Sequence, residues 1–104
     1  MQAGIDAAKP GKPVSDIGKA CDKVAKKNGF AICHEFCGHG IGYAMHVAPP
    51  VIHVPNDISF ILEPGMCLTV EPILMMNPDY SLALWPDGWT AVDATGYPSA
   101  QAER

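Results

Sequence analysis

Apolar residues recur along this chain with two different periods, and the change falls at Asn28-Gly29. Before it, Ile17, Ala20, Cys21, Val24 and Ala25 stand at i, i+3, i+4, i+7 and i+8, the stripe of an amphipathic helix. Pro13 suits the first helical position, with Ser15 as an alternative cap. Lys19, Lys23, Lys26 and Lys27 lie mostly off the stripe, and the last two favour the negative helix end. Asn28-Gly29 supplies the stop. Residues 1–8 read as the last turns of an earlier helix, broken by Lys9-Pro10-Gly11. Neither helix carries obvious chemistry.

From Phe30 onward the pattern is one of short extended runs. Residues 30–33, 51–54, 58–62, 66–74, 82–85, 89–92 and 99–103 are the expected strands. Pro49-Pro50, Pro55-Asn56-Asp57, Glu63-Pro64-Gly65, Pro86-Asp87-Gly88 and Thr95-Gly96 punctuate most of the joints. One full helix, part of another and a largely antiparallel sheet make the expected fold α+β. There is no internal repeat or linker, so residues 1–104 read as a single domain.

Composition narrows the picture. A chain of 104 residues, 48% of them apolar, can bury one modest core. Seven basic against eleven acidic residues give a formal charge of −4, which argues against nucleic acid or an anionic membrane as partner. No apolar run reaches membrane-spanning length, and the first eight residues lack the pattern of a signal peptide. Cys21, Cys33, Cys37 and Cys67 repeat no spacing and read as reduced thiols, which places the chain in a cytoplasmic compartment.

The candidate chemistry gathers in Cys37-Gly38-His39-Gly40-Ile41-Gly42, with His46 seven residues after His39. Three glycines cost conformational entropy and pack nothing, which suggests a backbone bent past a bound group with His39 at the bend. A Gly-rich turn with two solvated histidines is the plainer reading. Glu71 ends an apolar stretch, where an isolated buried carboxylate costs several kcal/mol unless a cation or hydrogen bonds compensate. Pro72 after it should end or kink the strand. Glu103 closes a second alternating run. The plainer readings are an edge Glu71 and a solvated Glu103. One imidazole and two carboxylates would suit Mn, Fe, Co or Zn, with His46 left to stabilise an oxyanion. The Cys33-x3-Cys37 pair with its histidines is a rival zinc pattern, weakened by the absence of a second pair.

Together these blocks closely resemble type I methionine aminopeptidases of the M24 peptidase family. The resemblance rests on the Cys37–Gly42 run, His46, Val51-Ile52-His53, Glu63-Pro64-Gly65-Met66, Thr69-Val70-Glu71-Pro72, Asp87-Gly88-Trp89-Thr90 and Ser99-Ala100-Gln101-Ala102-Glu103, in the family's order. It implies the C-terminal half of a pita-bread fold, two pseudo-symmetric halves around two divalent metal ions (Co, Mn, Fe or Zn). It implies removal of N-terminal methionine from peptides and nascent proteins. His39, Glu71 and Glu103 would be metal ligands, with Glu103 bridging. Glu71 would also be the acid/base for the attacking water, and His46 would contact the scissile peptide. Met45, Trp89 and Cys37 would line the methionine pocket.

Departures from the family pattern carry expectations of their own. Its two aspartate ligands belong to the half preceding this sequence, so the chain alone should hold at most one weak metal and be inactive. It should self-associate or bind the missing half. Met45 stands where the family has an aromatic residue, and Tyr43, Val47 and Ala48 replace more polar neighbours. Glu103 is expected on a frayed end. A non-catalytic module of the same fold and an Xaa-Pro dipeptidase are the alternative functions. An organelle would be the alternative location if a targeting segment preceded the chain.

Overall fold

The computed structural model describes all 104 residues. In chain order the elements are helices α1 (Gln2–Ala7) and α2 (Ser15–Lys27), then eight short strands. These are β1 (Ala31–Ile32), β2 (Gly38–Ile41), β3 (Val47–Val51), β4 (Cys67–Leu68), β5 (Ile73–Met75), β6 (Leu82–Leu84), β7 (Ala91–Asp93) and β8 (Ser99–Gln101). Every strand pair is antiparallel, so the expected α+β class holds.

Helix α2 forms where the apolar period places it, with its face turned a little. Ile17, Gly18, Cys21 and Ala25 are buried, whereas Val24 is 48% exposed. The rotation follows from backbone contact at two glycines. A Cβ on Gly4 would meet Cys21 Sγ at 2.6 Å, so α1 lies directly on α2. A Cβ on Gly18 would meet the carbonyl oxygens of Val54 and Ile52 at 2.3 and 2.5 Å. The helix stops in a Schellman motif: Gly29 takes φ +78°, its amide donates to Lys26 O, and Phe30 N donates to Ala25 O. The expected cap is corrected. Ser15 is the first helical residue, Val14 takes the cap position without a side-chain bond, and Pro13 lies outside the helix.

Pro13 pairs instead with Ile61 in an isolated bridge, flanked by Val14 N donating to Phe60 O and Leu62 N to Lys12 O. Residues 58–62 therefore form no regular strand. Their partner segment contains a proline that cannot extend a ladder. The expected strand at 51–54 lies earlier, at 47–51, because β2 pairs with it from Gly40–Val47 to Gly38–Val51. Gly38 and Gly40 thus lie in a strand whose register with β3 shifts between His39 and Gly40, and the bend falls after it, at Gly42. Gly38 and Gly40 are needed for close approach: a Cβ would meet Thr69 O at 2.5 Å and Ala48 O at 2.4 Å respectively. The expected strand at 89–92 starts at Ala91, because the Asp87 carboxylate accepts from the amides of Trp89 and Thr90 and holds them in a turn.

Two three-stranded sheets result, ordered β3-β2-β4 and β1-β5-β8, with β6-β7 as a separate hairpin. Residues 66–74, expected as one strand, instead change partner partway from β2 to β1. One side of this sheet system packs on α2. Val14, Ile17, Cys21, Ala25, Ile32, Val51, Leu62 and Val70 form that core. Fully burying an aliphatic side chain of this kind contributes about 1.5–3 kcal/mol. The opposite side stays open and carries the polar cluster.

Candidate metal centre

The cluster is built on two registers. The β2–β4 pairing sets Gly40 opposite Leu68, which places His39 beside Thr69. Thr69 N donates to His39 O at 2.8 Å, and His39 N donates to the Thr69 hydroxyl at 2.9 Å. The β5–β8 register sets Ile73 opposite Gln101. It runs on past Pro72 to Val70 and Arg104, which exchange both backbone bonds at 2.8 and 3.2 Å. Glu71 therefore falls directly opposite Glu103, and cross-strand partners share a face. The expected frayed end is corrected by the same two bonds, which fasten residue 104 to the strand.

His39 Nδ1 lies 3.0 Å from Gly40 O. A carbonyl only accepts, so Nδ1 carries the proton and the Nε2 lone pair is free, as a metal-ligating imidazole requires. Nε2 is 3.7 Å from Glu71 Oε1, with both side chains 17% exposed. The Thr69 hydroxyl donates to that same oxygen at 2.8 Å, and the Gln101 amide lies 3.5 Å from Oε2. Thr69 and Gln101 were not singled out from the sequence. Their place two residues from Glu71 and Glu103 on alternating strands is the signal that marks them. The His46 ring stands edge-on to His39, centroids 4.2 Å apart.

An open hollow of about 720 Å³ gathers His39, His46, Glu71 and Glu103 at its polar floor. Cys37, Met45 and Trp89 line its wall, and the last two are 72% and 89% exposed. Two glutamates facing each other across a ladder destabilise it unless something positive lies between them. With the Nε2 lone pair beside them, His39 and Glu71 fit a divalent ion, and Glu103 is placed to approach it. The set is not closed, since no three His, Cys, Asp or Glu side chains converge around an ion-sized point. The rival zinc pattern fails on the same ground. Cys33 is buried and its thiol donates to Glu35 Oε2 at 3.1 Å. Burial, reinforced by that carboxylate, pushes the thiol up and keeps it protonated.

Behind the floor lies His53, 2% exposed, whose Nε2 accepts the Glu71 amide at 3.0 Å. Burial lowers its pKa to about 4 against the opposing pull of the Glu71 charge, so the ring is neutral. A second polar cluster ties the β6–β7 hairpin to the chain before β2. The Tyr80 hydroxyl donates to Glu35 Oε2 at 2.6 Å and accepts from His34 N and His34 Nδ1. Burial and the Glu35 charge raise the phenol above its ordinary range.

Antiparallel sheets with a helix on one side and an imidazole–carboxylate floor on the other define the pita-bread α+β class. Residues 1–99 match metallopeptidase family M24, and the chain belongs to that family. It is 42% identical over 104 residues to methionine aminopeptidase of Salmonella typhimurium, covering 99% of this chain and 39% of that protein. It is 41% identical over 99 residues to the mitochondrial methionine aminopeptidase 1D of Danio rerio, covering 95% of this chain and 29% of that one. The crystal structure of the Rickettsia prowazekii methionine aminopeptidase superposes with TM-score 0.88 at 34% identity, over 98% of this chain and 42% of the other. The Thermotoga maritima enzyme gives 0.90 at 28% identity, over 98% and 41%. The chain thus spans about two fifths of these relatives' length, except for the longer Danio protein. No helix is long and apolar enough to cross a membrane.

Proposed function

We propose that the chain supplies His39, Glu71 and Glu103 to a metal-dependent site that removes N-terminal methionine, completed by a half bearing two aspartates. The observation that carries this reading is the His39 Nε2–Glu71 Oε1 approach of 3.7 Å, with Glu103 opposite Glu71 on the same face. Bound divalent ions would acidify a water and polarise the peptide carbonyl. His39 offers Nε2 to such an ion because its other nitrogen is committed to Gly40 O. Glu71 accepts the proton of the attacking water on the oxygen that Thr69 leaves free. His46, beside His39, donates a hydrogen bond to the oxygen on which charge develops. Met45, Trp89 and Cys37 receive the methionine side chain, with the thioether against the Trp89 ring.

A second reading, a non-catalytic module of the same fold, is favoured by the unclosed ligand set. Metal content and cleavage of a Met-Ala peptide separate the two. The chain alone is expected to hold at most one weakly bound ion and to show no turnover. With the preceding part of a relative supplied in trans, two ions and methionine release are expected, and Glu71→Gln should abolish the release. Two bound ions with no methionine release would leave the module reading. Preference for an Xaa-Pro dipeptide over Met-Ala would move the chain to a dipeptidase role.

A further inference from the structure

The stretch from Cys67 to Met75 serves two sheets in turn, and the exchange of partners leaves a gap in its ladder. Before the gap, the Thr69 amide donates to His39 O. Beyond it, Cys33 N donates to Ile73 O. Between these two points the chain of residues 34–37 swings away to reach β2. The Glu71 amide points toward this same side, since Val70 faces Arg104 and donor directions alternate along a strand. No strand is there to receive it. His53 occupies the place, its Nε2 3.0 Å from the Glu71 nitrogen and its ring 2% exposed.

We propose that His53 is a positioning residue for Glu71: its ring replaces the absent strand's carbonyl and fixes the peptide from which the Glu71 carboxylate projects toward His39 and Glu103. The significance of that carboxylate rests on the metal-site reading, but the hydrogen bond itself does not. An imidazole suits the position because it accepts through one nitrogen at the end of a rigid ring. A backbone amide only donates, so Nε2 is unprotonated and the ring proton sits on Nδ1. On the other side of the same strand, Val70 is held by Arg104. Glu71 is thereby pinned from two directions, and its carboxylate keeps one oxygen on Thr69.

The test compares the wild-type chain with His53→Leu and His53→Gln. Leucine fills the space without an acceptor, and glutamine puts its amide oxygen close to where Nε2 lies. In the ¹⁵N-labelled chain with chelator present, a scalar coupling across the hydrogen bond should join the Glu71 amide to His53 Nε2. In His53→Leu the Glu71 amide should exchange about 10-fold faster or more, as a buried donor without its partner does, while Val70 stays near its wild-type rate. His53→Gln should restore Glu71 protection. Co²⁺ titration followed by visible absorption should show affinity about 10–100-fold weaker in His53→Leu and recovered in His53→Gln.

Absence of the coupling overturns the proposal. So does His53→Leu with wild-type Glu71 exchange, or with a loss spread equally over Thr69 and Val70 that glutamine does not rescue. If the wild-type chain takes up no Co²⁺, the ligand role of Glu71 falls, and the coupling and exchange still decide whether His53 holds it.

Discussion

The chain divides at Met75 into two regions held by different forces. All 19 buried residues lie between Gly4 and Met75, and none lies beyond. The first region is a helix-backed core. The second, carrying β6, β7 and β8, hangs on backbone ladders and polar side chains. Asp87 and Asp93 organise its turns, and Tyr80 ties it to His34 and Glu35. A lone two-stranded hairpin is marginal in water, so these polar ties set its position. The polar floor of the hollow draws on both regions: His39, His46 and Glu71 from the first, Glu103 from the second. Trp89, on the pocket wall, belongs wholly to the weakly held part. The consequence is a floor anchored mostly on the core and a wall held mostly by polar ties.

The largest effect should come from the core. Ile17 is fully buried on α2, and Ile17→Ala should cost about 2–5 kcal/mol of stability, read from the urea midpoint. Both regions should unfold together in that variant, because β8 depends on β5 and β5 on the core. A hairpin that stayed folded after the core melted would show that the arm does not depend on the core. Next comes the seam under the site. Gly40→Ala drives a Cβ against Ala48 O, and forced backbone shifts of this kind cost roughly 1–3 kcal/mol. The shift should separate His39 from His46, seen as loss of ring-to-ring contacts by NMR, while the α2 resonances keep their places.

These two variants also show what the sequence discloses. Ile17, Cys21 and Ala25 were legible because a 3.6-residue period survives whatever packs on it. The role of Gly38 and Gly40 was not, because a glycine looks the same whether it turns the chain or admits a neighbouring strand. The site residues stood out as costly side chains in apolar surroundings, and the motif order tied them to one family. The role of His53 and the Tyr80 clasp were hidden for a common reason. Tyr80 acts through His34 and Glu35, 46 and 45 positions away, and His53 through Glu71, 18 positions away across a sheet split, which local pattern does not encode. Val24 was misassigned because α1 packs on the other edge of the stripe.

Tyr80→Phe should be the cleaner probe of the second region. It removes the hydroxyl that joins Glu35 to the hairpin and leaves the ring, so the cost should be about 1 kcal/mol, confined to the arm. Amide exchange should quicken through β6 and β7 and stay unchanged in α2. Trp89 fluorescence should shift with it if the clasp sets the pocket wall. Equal exchange changes in both regions would mean that Tyr80 supports the core after all.

The smallest effect is a response to acid in the same arm. Hydrogen bonds from Thr90, with the Trp89 amide, hold the Asp87 carboxyl below its ordinary range, and Thr95 does the same for Asp93. In the unfolded chain such groups titrate near 3.9, so as pH falls the unfolded state takes up protons first. Their contribution is complete above that value and is lost as pH drops through the lower folded-state pKa values. The amide resonances of Trp89 and Thr95 should therefore move toward unfolded positions below about pH 4, ahead of any change at Ile17. Asp87→Asn should remove the response at Trp89 and keep it at Thr95, because the two turns share no hydrogen bond. Acid movement at Ile17 in step with Trp89 would show one cooperative unit in place of a core and an arm.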